Sequence, residues 1–167
     1  MSDTAQSAPV ASRLNDRLFL ACGLAWGASV IHVEAAIEHL QEFALFSVFF
    51  ALLAATQLLW GILLYRSPGR KLLIAGAVMS LAVVALWLVS RTSGLPIGPA
   101  PGTAERFGAL DSVATGDEAV LAVLMFFQLR PVRTGLLARG FTALITVAGV
   151  GLVLFSSLFL TLAAHSH

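Results

Sequence analysis

The stretch FALFSVFFALLAATQLLWGILLY, residues 43–65, decides the fold, because it continues for 23 residues without one charged side chain. About 20 apolar residues are enough to cross the roughly 30 Å hydrocarbon core of a bilayer. Two more uncharged runs of similar length follow in the chain, at residues 72–90 and 141–164. These three runs predict transmembrane helices.

The composition of the whole chain, 167 residues long, agrees with a membrane location. Apolar residues make up 58% of the sequence and charged residues 11%, and the mean hydropathy is +0.90. Soluble domains have about 45–50% apolar and about 25% charged residues, and a soluble domain of this length needs more charged surface. The composition argues against a soluble enzyme, and a net charge of +1 offers no general attraction for nucleic acid.

Two further apolar runs are too short to cross a bilayer unless their polar ends also lie inside the membrane. Residues 18–31 continue into His32, and residues 119–129 follow directly after Glu118. Including these polar ends completes two additional spans. The sequence therefore predicts an all-α, polytopic bundle of five transmembrane helices.

The predicted domain organisation has one membrane domain and two short ends. Residues 1–16 are mostly small and polar, which predicts a disordered cytoplasmic N-terminus. Residues 17–164 form the five-helix domain, in which residues 92–108 are a Gly- and Pro-rich external loop that caps the bundle. Residues 165–167 are an external tail. A tight turn is expected at residues 67–69, and a turn without glycine near residues 40–43.

Basic residues predict the orientation of the spans. With five spans, eight of the ten Lys and Arg residues fall on one side, which the positive-inside rule makes cytoplasmic. The N-terminus is then inside and the C-terminus outside, in a multi-pass protein of the cell membrane. An Arg-rich, Ala- and Gly-rich composition favours a bacterial inner or plasma membrane. The clusters are Arg13 and Arg17; Arg66, Arg70 and Lys71; and Arg130, Arg133 and Arg139.

Polar residues near the outer ends of the helices form a candidate functional layer. At about 1.5 Å per residue from the cytoplasmic side, His32 lies at roughly 22 Å and Glu118 at roughly 18 Å. His39, Asp111 and Arg91 lie further out, at roughly 33, 28 and 30 Å. His32 and His39 are seven residues apart and share a helix face, as do Asp111 and Glu118. The two pairs are expected to face each other.

Imidazole and carboxylate groups together are a ligand set for Zn, Fe, Mn or Cu, and ionisable residues inside a membrane are functional candidates. A haem is not expected, because His32 and His39 lie about 10 Å apart along one helix and cannot bind opposite sides of one iron. The candidate metal ligands are His32, His39, Asp111 and Glu118, with Arg91, Glu34 and Thr115 as supporting residues around them.

Other interpretations of the polar layer stay open. The same residues could form an ion-paired network that holds helices together, or an acid–base site that handles protons. The protein could also be a non-catalytic subunit or assembly factor of a larger membrane complex, and copurified partners would favour this alternative. The expected partners are the lipid bilayer and either further copies of the chain or other membrane subunits.

Overall fold

The computed structural model describes residues 8–129, and within this range it is entirely helical with connecting turns and one long loop. Residues 1–7 lie outside the described residues. So do the predicted fifth span, at residues 141–164, and the predicted tail, at residues 165–167. Each of the four described helices is long and apolar enough to cross a membrane. They are α1 (Ala8–Glu38), α2 (Ala44–Arg66), α3 (Arg70–Thr92) and α4 (Ala109–Leu129).

The first helix begins earlier than the sequence predicted. Residues 8–16 belong to α1, although this part of the chain was expected to be disordered. Pro9 occupies the first turn, where a helix tolerates proline because the missing N–H has no partner there. No glycine or further proline follows before Gly23, so nothing in the local sequence interrupts the helix between this turn and the apolar run.

Both predicted turns are found at their expected positions. Between α1 and α2, the Phe43 N–H donates to the His39 carbonyl at 3.0 Å, and no non-glycine residue in the described chain has a positive φ. This turn therefore forms without a glycine. Between α2 and α3, Ser67, Pro68 and Gly69 form the tight turn that their sequence predicts.

The helices pack in the order α2, α1, α4, α3, with little contact between α2 and α3. Two serine hydroxyls join α1 to α2: Ser29 donates to the Ala54 carbonyl at 2.8 Å and Ser47 donates to the Ala36 carbonyl at 2.7 Å. Each hydroxyl thus reaches the backbone of the neighbouring helix. This is possible because the residues at both contacts are serine or alanine, whose small side chains let the two helices approach closely.

Contact between α2 and α3 depends on Trp60 and Gly76. The Trp60 indole N–H donates to the Leu72 carbonyl at 2.8 Å. A Cβ atom at Gly76 would lie only 2.1 Å from the indole ring. Glycine is therefore required at this position by the approach of the ring.

The outer surfaces of α2 and α3 carry large apolar side chains that no other part of residues 8–129 covers. Leu52 is 64% exposed, and Val78 and Leu81 are exposed to a similar extent. Soluble proteins rarely expose such contiguous apolar area, whereas in a bilayer these side chains contact acyl chains. These surfaces support a lipid environment for the bundle.

A long loop, residues 93–108, connects α3 to α4 and folds back over the end of α3. The Glu105 N–H donates to the Ser90 carbonyl at 2.9 Å, and the Gly102 N–H donates to the Leu95 carbonyl at 2.8 Å. Gly94 has a φ of +73°, a value that L side chains rarely adopt, and a Cβ there would lie 2.5 Å from the backbone of Thr103. The loop is thus closed by backbone hydrogen bonds around this glycine.

Candidate functional site

Three polar side chains from three helices meet inside the bundle: His32 from α1, Gln57 from α2 and Glu118 from α4. His32 is 3% exposed, and Gln57 and Glu118 are fully buried. The His32 Nε2 atom lies 3.6 Å from Glu118 Oε1, and the Gln57 side-chain amide donates a hydrogen bond to the same oxygen. We call these three residues the buried polar site.

Apolar residues close the buried polar site on the side of the α2–α3 turn. A cluster of buried side chains from α1, α2 and α4, including Leu24, Leu64 and Leu121, fills the bundle there. On the opposite side, the Phe50 ring stacks on the His32 imidazole with centroids 5.7 Å apart and an interplanar angle of 19°. The site is therefore enclosed by apolar groups at both ends.

Several polar atoms of this site have no hydrogen-bond partner within residues 8–129. They are His32 Nε2, Gln57 Oε1 and Glu118 Oε2. A buried polar atom without a partner costs about 1–3 kcal/mol. A proton placed between the imidazole and the carboxylate, or a cation bound to these atoms, would offset that cost.

A second buried carboxyl group lies beside the site. Asp117 is fully buried and precedes Glu118 on α4. A Cβ atom at Gly27 would lie 3.9 Å from Asp117 Oδ2, an ordinary contact distance, so the Asp117 carboxyl group faces α1 at this position.

The predicted proximity of Arg91 and Asp111 is confirmed. The Arg91 guanidinium pairs with Asp111 of α4 and with Glu105 of the loop, and its side chain is 6% exposed. It also lies 5.9 Å from the centre of the Trp87 ring, and Trp87 packs edge-on against Phe107 of the loop. Arg91 therefore joins α3, the loop and α4 in one cluster.

The structure separates His39 from the other predicted ligands. His39 is the first residue after α1, and its N–H still donates to the Ala35 carbonyl at 3.1 Å. It therefore keeps the face that it shares with His32, but the Phe50 ring lies between the two imidazoles. The His39 Nδ1 atom lies 3.1 Å from Glu42 Oε2, and its ring stacks on Phe50. Asp111 pairs with Arg91 instead. Within residues 8–129, no three His, Cys, Asp or Glu side chains converge.

The two other supporting residues also lie apart from the buried polar site. Glu34 is exposed on α1, on a different face from His32. The Thr115 hydroxyl donates to the Asp111 carbonyl of its own helix at 2.8 Å. Of the seven residues predicted for this layer, only His32 and Glu118 thus belong to the buried polar site.

Gln57 belongs to the buried polar site but not to the predicted ligand set, because its position in the sequence favours an ordinary hydrogen bond to a neighbouring helix. Counted from Arg66 at the end of α2, it lies about 14 Å above the cytoplasmic side. This depth differs from that of Glu118 by less than one helical turn. An isolated glutamine inside an apolar helix was therefore a usable signal, although it is also typical of ordinary contacts between helices.

Comparisons with known proteins returned no matching family model, no similar curated protein and no similar solved structure. The fold and the site define only a class, a helical bundle compatible with an integral membrane protein and carrying buried ionisable residues. Any function must be inferred from the site.

Proposed function

We propose that this integral membrane protein binds and releases a proton at the His32–Glu118 pair, inside the membrane. One observation carries the proposal: the side chains of His32 and Glu118 are ionisable, almost completely buried and only 3.6 Å apart, although they come from different helices. Ionisable groups inside a membrane are costly, and they commonly mark proton relays or ion pathways.

The pair has two states that differ by the position of one proton. In one state the imidazolium faces the carboxylate, and in the other a neutral imidazole faces a protonated carboxyl. Neither of these two proton-bound states adds net charge to the apolar interior. Release of the proton leaves a neutral imidazole beside the carboxylate, a state with one negative charge that accepts the hydrogen bond of the Gln57 amide. Imidazole is suited to this role because its charge changes near neutral pH. Gln57 donates to Glu118 Oε1 and so orients the carboxyl group towards His32.

A metal remains the alternative ligand for the same atoms, and its presence stays a prediction. An imidazole nitrogen and a carboxylate oxygen suit Zn, Fe, Mn or Cu, and the Gln57 carbonyl oxygen could join them. His39 and Asp111 would not contribute in this arrangement, because each has another partner. A metal site here would thus have fewer protein ligands than the sequence predicted.

Infrared titration of the purified protein tests the proposal. We expect a protonated-carboxyl band that changes with pH in the native protein and is lost in Glu118→Gln. The matched control is Glu34→Gln, on an exposed acid of α1, which should keep the band. A band that is unchanged in Glu118→Gln would contradict the proposal. If the native protein contains near-stoichiometric metal and both His32→Ala and Glu118→Ala lose it, the ligand of the pair is a metal ion and not a proton.

We further propose five spans with the N-terminus in the cytoplasm and the C-terminus outside, in a bacterial cell membrane. The basic clusters support this orientation. A cysteine at Thr103, in the 93–108 loop, should react with an impermeant reagent added outside. A cysteine at Ser67, in the α2–α3 turn, should react only after permeabilisation. Cys22, which is buried, is replaced by alanine in both variants. Labelling of both cysteines from the same side would contradict the orientation.

A further inference from the structure

The Phe50 ring lies between two histidines. Its centroid is 5.7 Å from that of His32 and 5.3 Å from that of His39, with interplanar angles of 19° and 9°. The three rings form a stack that leads from the α1–α2 turn to the buried polar site. His39 lies at the outer end of this stack and is 29% exposed, whereas His32 at the inner end is 4% exposed.

The stack joins two sets of ionisable groups. At the outer end, His39 faces Glu42 of the same turn, 3.1 Å away and largely exposed. At the inner end, His32 faces Glu118 of α4 and Gln57 of α2, with the buried Asp117 of α4 next along the helix. Apolar residues close the bundle on the other side of the site, so towards the α1–α2 turn only the Phe50 ring stands between the imidazole of His32 and that of the partly exposed His39.

We propose that His39 is the residue that takes up protons for the His32–Glu118 pair, and that Phe50 is the barrier between them. This inference rests on the proposed function of the pair. A phenyl ring has no polar hydrogen and no lone pair, so it interrupts any hydrogen-bonded chain between the two imidazoles. Rotation of the ring about its side-chain bonds lets water join them.

The transfer is balanced in protons and needs no other reactant. A proton leaves water at the α1–α2 turn and binds the free ring nitrogen of His39, while Glu42 holds the other nitrogen and offsets the charge. When the ring of Phe50 turns aside, water carries a proton inward to the His32–Glu118 pair. Release follows the same path in reverse.

A pH jump followed by time-resolved infrared spectroscopy of the Glu118 carboxyl tests this route. In Phe50→Ala, we expect the band to respond about tenfold faster, which corresponds to a barrier lower by about 1.4 kcal/mol. The matched control is Phe49→Ala: Phe49 is 39% exposed and packs edge-on against Phe50, outside the stack of three rings. In Phe49→Ala the band should respond at the native rate.

In His39→Leu, we expect the Glu118 band to respond several-fold more slowly, with the pH midpoint of the band unchanged.

The outcomes separate this inference from the proposed function. Equal rates in the native protein, Phe50→Ala and His39→Leu would overturn the route while leaving the titrating Glu118 band in place. Equal acceleration in Phe50→Ala and Phe49→Ala would also overturn it, since general loosening of α2 would then explain the rate. Absence of any Glu118 band in the native protein would instead overturn the proposed function itself.

Discussion

A double-mutant cycle on His32 and Glu118 is expected to give a coupling of about 2–3 kcal/mol in the free energy of unfolding. The cycle uses His32→Leu, Glu118→Leu and the double variant, unfolded reversibly by a denaturing detergent. Removing one partner of a buried charged pair leaves the other uncompensated, which costs about 3–5 kcal/mol. The double variant should recover most of this loss, because leucine at both positions leaves neither charge in the apolar interior.

The size of the coupling distinguishes a charged pair from an ordinary polar contact. Hydrogen bonds between membrane helices average about 0.6 kcal/mol in such cycles and reach about 1.7 kcal/mol. His39 and Glu42 provide the matched control, because water reaches their 3.1 Å pair, with Glu42 65% and His39 29% exposed, and the pair should couple by about 0.2–1 kcal/mol. A His32–Glu118 coupling no larger than this control would show that the two residues do not act as a charged pair.

Arg91→Leu is expected to destabilise the protein by about 1–3 kcal/mol. The variant removes both ion pairs of the cluster, to Glu105 and Asp111, and the cation that lies over Trp87. The expected loss is below that of a fully buried pair, because the two carboxylates are 45% and 43% exposed and water partly solvates them. The 93–108 loop should also become sensitive to proteases, since Arg91 connects it to α3.

The control for Arg91 is Arg106→Leu, an exposed arginine of the same loop, which should change stability by less than about 0.5 kcal/mol. Arg91→Lys should retain part of the stability, because lysine keeps the charge but cannot bind both carboxylates with a planar group. Equal stability of Arg91→Leu and Arg106→Leu, with unchanged protease resistance of the loop, would show that this cluster does not hold the loop.

The helices and turns of the described chain were largely predictable, because their determinants are local. Uncharged runs located α2 and α3, and the charges of residues 38–42 located the turn that follows α1. The start of α1 at residue 8 does not follow from composition, because small polar residues are typical of disordered segments. Small polar residues do not prevent a helix that continues into a buried apolar segment, where tertiary packing stabilises it.

The candidate site was predictable only as far as depth along straight helices allows. Counting residues from the cytoplasmic end of each helix placed Glu118 at the depth of His32 and Arg91 at the depth of Asp111, and both pairs are found. It failed to make His39 a ligand beside His32, because counting does not show the Phe50 ring between the two imidazoles or the Glu42 carboxylate that pairs with His39. Gln57 could not be assigned to the site from the sequence, because residue spacing does not give the rotation of α2 relative to α4.

The most direct test of the central claim, that His32 and Glu118 share one proton, is nitrogen NMR of histidine-labelled protein in lipid. The chain has four histidines, and a His32→Gln variant identifies the resonance of His32. We predict that this resonance changes at the same pH as the Glu118 infrared band, and that the Glu118→Gln substitution shifts it to the neutral form. A His32 resonance that is identical in the native protein and in Glu118→Gln at every pH would contradict the shared proton.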